Sequence, residues 1–364
     1  MLGVVYLGEW GLMPNGERLG QKEDGRGRRA GRVATAGIWL VAGCWVLLPR
    51  LGVAETCTTQ SAMQPGDREA LAQAARELTG RLQAGDAAGL EAQSVPELRK
   101  DFSGIRAAAA DLAPHLKGDT LAVDQVYLLD ATTLAVGSDA QFFCTLNKTQ
   151  AEVDLSIAGL TAGTYGFAVV YGTGASPWRV SLLLRRDVGR WLLAGFFPGP
   201  REAAGHDGVW YWREARRLTA AKQPWTAWLY YTEAQSLLRP AGFVQTTHLE
   251  RLQDEQKAGA PPALSSGVSA GTPLVIKGPD GKEYRITGLG VEALVGRNKA
   301  DVVLHVDEPS TDPTTLRERG DGAARALLAV CPELRTSFDG VVLVSLEGAG
   351  RPALVTEHLM AGVK

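Results

Sequence analysis

Little in this chain points to metal, redox or nucleic-acid chemistry. Its four cysteines include no CxxC pair, which excludes a zinc framework and a dense disulfide scaffold. The five histidines, His115, His206, His248, His305 and His358, fall into no HxH or HExxH spacing. Charge of one sign is also missing: 38 basic and 40 acidic residues leave −2, so no global basic field argues for nucleic acid. No apolar run reaches the roughly 20 residues of a comfortable membrane span; the longest, 33–48, has 16. With 45% apolar and 21% charged residues the chain is too apolar for disorder, and 364 residues exceed one ordinary core. Two folded domains are expected.

The apolar run carries the first positive signal. Arg26, Arg28, Arg29 and Arg32 precede it, Pro49-Arg50 ends it, and Gly52-Val53-Ala54 then offers small residues before the polar Glu55-Thr56. Basic flank, apolar stretch and small-residue site in that order read as a secretory signal over 1–54, cleaved after Ala54. Two other readings stay open. Val41-Ala42-Gly43-Cys44 resembles a lipobox with Cys44 as the lipidated residue, although apolar residues follow it, and the segment also suits an uncleaved anchor. The first 25 residues are long for a basic region, so Met13 is a second candidate start. All three outcomes place the folded part outside the cytoplasm, in the periplasm or on the outer face of a bacterial membrane, touching the membrane only through this segment. Without the leader's seven basic and four acidic residues the remainder carries −5, which disfavours anionic lipid and nucleic acid. In an exported chain Cys57 and Cys144 are either a bridge tying down the N-terminus or two separate thiols, with Cys331 left over.

Beyond the leader the spacing predicts helices over 66–85, onward to Leu90, and 96–116. Leu71, Ala74, Ala75, Leu78 and Leu82 recur at three- and four-residue steps in the first. After Gly118 the period falls to two, predicting strands at 121–130, 140–146, 151–158, 163–172, 178–187 and 190–197. Alternation puts Tyr165, Phe167, Val169, Tyr171, Trp178, Val180, Leu182 and Leu184 on one buried face, with Gly166, Ala168, Arg179, Ser181 and Arg185 opposite. Helices followed by a curved antiparallel sheet make an α+β layout.

The opening Ala75-Arg76-Glu77-Leu78 with Leu82-Gln83-Ala84-Gly85-Asp86, and the closing Trp178-Arg179-Val180-Ser181-Leu182-Leu183-Leu184 with Gly189-Arg190-Trp191-Leu192-Leu193-Ala194-Gly195-Phe196, give the segment 66–197 its family likeness. It resembles the nuclear transport factor 2-like (SnoaL-like) superfamily. That resemblance implies a cone with a pocket, in a superfamily hosting isomerases, hydratases, binding proteins and interaction domains. Its catalytic members carry Asp, His or Tyr in the cone. Here Asp124, Asp130 and Asp154 are the general acid/base candidates, and Tyr165, Tyr171 and Trp178 the candidates for binding.

Six of the nine tryptophans fall between 178 and 228. They suit either an aromatic platform for sugars or, more economically, the packing of a helix pair onto the sheet. Segment 208–240 resembles one tetratricopeptide unit in the spacing of Ala215, Ala227, Tyr231 and Ala234, with Tyr211 at its first large aromatic position and Pro240 one place late. No second copy follows, so a hairpin docked on the first domain (55–256), near Trp191 and Phe196, is expected rather than a solenoid. The Pro/Ala/Ser/Gly-rich stretch 257–272 reads as a linker. A small α+β domain, 273–364, follows: strands at 273–277, 283–289, 300–306, 340–346 and 352–358 and a helix over 313–329.

Three motifs spell chemistry without its context. Gly267-Val268-Ser269-Ala270-Gly271 matches a nucleophile elbow but lies in the linker, not between a strand and a helix. Gly288-Leu289-Gly290-Val291-Glu292-Ala293 approximates a dinucleotide turn, yet no long helix follows, so a loop is expected. Asp301, His305 and Asp307 share a strand face, where a polar outer surface is the commoner use than a metal. No metal or cofactor is expected. The chain reads first as an exported, envelope-associated, non-catalytic binding or assembly protein whose partner is a small molecule or an envelope protein. The alternatives are a small-molecule enzyme of the cone-shaped superfamily (isomerase, hydratase or hydrolase) and a carbohydrate binder using the tryptophan cluster.

Overall fold

A computed structural model describes residues 55–136, 138–146, 151–279, 281–294, 297–306, 312–347 and 351–363. The leader, Cys44 and Asp307 lie outside the described residues. The fold is α+β. In chain order, the first body holds β1 (Thr56–Thr59), α1 (Pro65–Ala84), α2 (Ala87–Ala92), α3 (Pro96–Arg99), α4 (Ser103–Leu116), β2 (Leu121–Ala131), β3 (Ala140–Leu146), β4 (Ala151–Ile157), β5 (Gly163–Gly172), β6 (Trp178–Asp187) and β7 (Arg190–Pro200). Pro65 opens α1 at a position that needs no amide hydrogen, and Gly85 closes it in the left-handed conformation, its N–H returning to Leu82. Asp86 then caps α2 by accepting from the Gly89 N–H at 2.9 Å.

β1, β2, β5, β6 and β7 form one antiparallel sheet in that order. Both of its faces are buried, which corrects the face assignment expected from alternation. Cross-strand pairing puts Ala168 beside Leu182 and Val170 beside Val180, under Leu71, Ala75, Leu78 and Leu82 of α1. Phe167 pairs with Leu183 on the other face and meets Phe142, Cys144 and Leu155. That second face is covered by a small sheet of β3, β4 and β10 (Val244–Thr246). The result is three layers: helices, sheet, sheet. A disulfide between Cys57 and Cys144, Cα atoms 5.2 Å apart, staples the two sheets. Cys331 is free and buried.

After β7 come the short pair β8 (Glu202–Ala203) and β9 (His206–Asp207), then α5 (Gly208–Ala220), α6 (Pro224–Leu238) and α7 (Thr247–Gly259). Asp207 caps α5, as its position before the helix leads one to expect, accepting from the Trp210 N–H at 2.7 Å. Tyr211 and Ala215 pack on Tyr231 and Ala234, with Leu252 of α7 completing the cluster. The small alanines let the helices approach closely.

The docking of this hairpin differs from expectation. Trp191 and Phe196 pack on the α1 side of the sheet instead. Trp225 and Leu229 belong to the core of the C-terminal body, the Trp225 N–H donates to Glu333 at 3.1 Å, and the Tyr230 hydroxyl donates to the Ser337 carbonyl. At and just beyond the C-terminal end of α6, Arg179 donates to the Leu237 carbonyl at 2.7 Å and Ser181 to the Pro240 carbonyl at 2.8 Å. α6 is thus wedged between two bodies.

The C-terminal body comprises β11 (Leu274–Lys277), β12 (Glu283–Glu292), β13 (Asp301–Val306), α8 (Pro313–Val330), α9 (Leu334–Ser337), β14 (Gly340–Glu347) and β15 (Arg351–Leu359). Its strands lie in sequential order, antiparallel except for β13 and β14, which run parallel across the α8 crossover. Two expectations change here. Gly288 and Gly290 lie inside β12 rather than in a loop. Residues 257–259 finish α7, Leu264 is buried in the C-terminal core and Val268 packs against it, so the linker is shorter and partly anchored. Among the described residues no helix is long and apolar enough to cross a membrane.

Candidate functional site

The acids expected to serve a cone do not converge. Asp124 is exposed at a bulge in β2. Asp130 is also exposed and accepts from the Thr132 hydroxyl at 2.6 Å and N–H at 2.9 Å, contacts that hold its carboxyl below the usual range. A proton donor needs the opposite shift. Asp154 sits on the other sheet, half-buried, accepting from Gln141 at 3.1 Å.

The binding candidates are equally dispersed. Tyr165 is buried with its hydroxyl on Thr161, whereas Tyr171 lies six residues along the same strand, about 20 Å away. Trp178 is stacked on His115 at 4.3 Å. The space between helices and sheet is filled by Leu71, Leu78, Leu82, Leu182 and Leu184. Surface hollows occur along α7, around Glu250, Arg251 and Asp254, and beside Lys299, Arg335 and Asp339.

Nor do the indoles present a flat, open platform. All six between 178 and 228 are half-buried or buried. Trp210 stacks on His206 at 3.7 Å, Trp212 donates to Glu255 at 2.8 Å, and Trp225 is core. Ser269 bonds Thr272 in an exposed turn, with no helix beginning behind it. Asp301 and His305 share β13, and among the described residues no group of three His, Cys, Asp or Glu side chains is placed to hold a metal.

Two charged features escape reading by pattern. The first is Arg179, which alternation places on an open face. It is only 6% exposed, and burial pulls its guanidinium down to about 10. Tyr171, Arg179 and Gly199 are neighbours across β5, β6 and β7, and a Cβ on Gly199 would meet the Arg179 Nη2 at 3.0 Å. Arg201 lies over the Tyr171 ring, its guanidinium carbon 3.9 Å from the centroid.

The second is a set of acids at the seam between the hairpin and the C-terminal sheet. Glu233 of α6 is 5% exposed, and burial, reinforced by Glu292 at the end of β12, pushes its carboxyl up to about 8. Glu292 pairs with Asp301, whose two carboxylate oxygens are buried without a partner. Burial raises Asp301 to about 6, against the pull of Arg297. Glu233 stands among other polar residues of α6, Thr232, Gln235 and Ser236, so residue type alone does not single it out as buried.

No family model, curated protein or solved structure matches this chain.

Proposed function

We propose that this chain is an exported, envelope-associated protein that works by binding or assembly rather than catalysis. The observation that carries the reading is the packed interior of the first body, where leucines occupy the space a cone-shaped enzyme leaves for substrate. Its helices on one sheet face suit a nuclear transport factor 2-like body with a filled cone, and α5–α6 suits a single tetratricopeptide-like hairpin used as a brace. The Cys57–Cys144 bridge supports an oxidising compartment.

Fractionation of bacteria making the tagged chain, followed by native electrophoresis of the envelope fraction, tests the reading. An envelope pool in a discrete complex larger than the 38.7 kDa chain is expected. A cytoplasmic monomer would overturn it.

A further inference from the structure

We propose that Arg179, Arg201 and Tyr171 form a binding site for a small oxyanion, a carboxylate or phosphate group, where β5–β7 meet the end of α6. The inference is independent of export and of assembly, because it stands on the charges at this corner alone.

Burying a guanidinium is costly unless its donors and its charge are both met. Arg179 meets neither fully. One N–H goes to the Leu237 carbonyl, where the C-terminal end of α6 offers a partial negative charge. Its Nε is buried with no partner at all. Arg201 lies close enough to add repulsion to the cost of charging Arg179.

Arg185 and Arg186 of the same strand as Arg179 hold ion pairs with Glu97 and Asp67, while Arg179 and Arg201 hold none among the described residues. Excess positive charge around a nearly buried fork suits an acceptor with several oxygens. A planar guanidinium fork matches carboxylate and phosphate, and the Tyr171 ring fixes the plane of Arg201 by stacking. Asp124 is the opposing group. It is exposed and near enough to Tyr171 and Tyr127 to disfavour their ionisation, so it also repels an incoming anion. Such a carboxylate at the rim limits affinity and favours displacement.

Isothermal titration of the full chain with inorganic phosphate, and separately with succinate, tests the site and decides between the two oxyanions. Saturable one-to-one binding with Kd below about 10 mM is expected for at least one. Arg201 is half-buried and takes part in no core hydrogen bond, so Arg201→Gln should keep the melting temperature and weaken binding about tenfold or more. Asp124→Asn should tighten it severalfold. Absence of saturable binding by both probes, or equal affinity in Arg201→Gln, would overturn the proposal.

Discussion

Replacing Glu233 by glutamine isolates the buried seam between α6 and the C-terminal sheet. In the folded chain this carboxyl holds its proton up to about pH 8, against an ordinary value of 4.5. The groups facing it are Glu292 from β12 and Tyr211 from α5, and neither supplies a positive charge. The unfolded chain therefore releases the proton first. Unfolding gains from this group as pH rises from about 4.5, and the loss of stability is complete only above about 8. At 1.36 kcal/mol per unit the full loss is on the order of 5 kcal/mol. Glutamine keeps the shape and removes the charge, so Glu233→Gln should match the native protein to within about 1 kcal/mol at pH 5 and exceed it by several kcal/mol at pH 8.5. Urea unfolding of both proteins at pH 5, 7 and 8.5 gives the comparison, with an unchanged m-value confirming that the same surface is exposed. Titrating groups not coupled to Glu233, Asp301 included, affect both proteins alike and cancel, whereas the couplings to Glu292 and Tyr211 belong to the difference measured. Parallel stability curves from pH 5 to 8.5 would refute the reasoning.

Trp225→Ala should cost about 3–5 kcal/mol, and hydrogen exchange should show lost protection in β11–β13 as well as α6, because Trp225 is core to both. Loss confined to α6 would contradict the wedge. Val188, 93% exposed at φ 45°, occupies a hairpin turn position that suits asparagine, so Val188→Asn should raise stability by about 0.5–1 kcal/mol in thermal melts. Removing the Cys57–Cys144 bridge by Cys57→Ser with Cys144→Ser should cost about 2–5 kcal/mol, since it closes a separation of 87 residues. A reductant should then lower the melting temperature of the native protein but not of the double variant.

Strong periodicity made most elements legible. α1 ends at the glycine that only a left-handed terminus requires, and β5 and β6 run over the residues that alternation marks. Which faces share a core was not legible, because a sheet buried on both sides is apolar in both registers. Gly166 and Ala168 look like gaps in an open face. They are small because α1 lies directly on them: a Cβ on Gly166 would meet Leu71 at 2.3 Å. Gly288 imitates a loop residue for a related reason, with the His305 side chain filling the space above it, whereas a Cβ on Gly290 would meet open space.

The hairpin's seat leaves its own sign in the sequence. α6 buries Trp225, Ala227, Leu229, Tyr231, Ala234 and Leu237, residues spread around its circumference. A helix apolar on every side needs neighbours on every side. Arg179 was hidden for the opposite reason: inside a strand, an arginine follows the same alternation whether its head meets water or a helix terminus. The candidate acids lie apart; residue type alone says nothing of convergence. Asp130 serves its own turn and Asp154 a different sheet.

Export of a disulfide-stapled body is tested most directly by mass spectrometry of the chain recovered from fractionated cells, alkylated before any reduction. The predicted result is an envelope-fraction protein beginning at or near Glu55, with Cys57 joined to Cys144 and Cys331 modified only after denaturation. A cytoplasmic protein that keeps its first 54 residues, with Cys57 and Cys144 both alkylated, would contradict it.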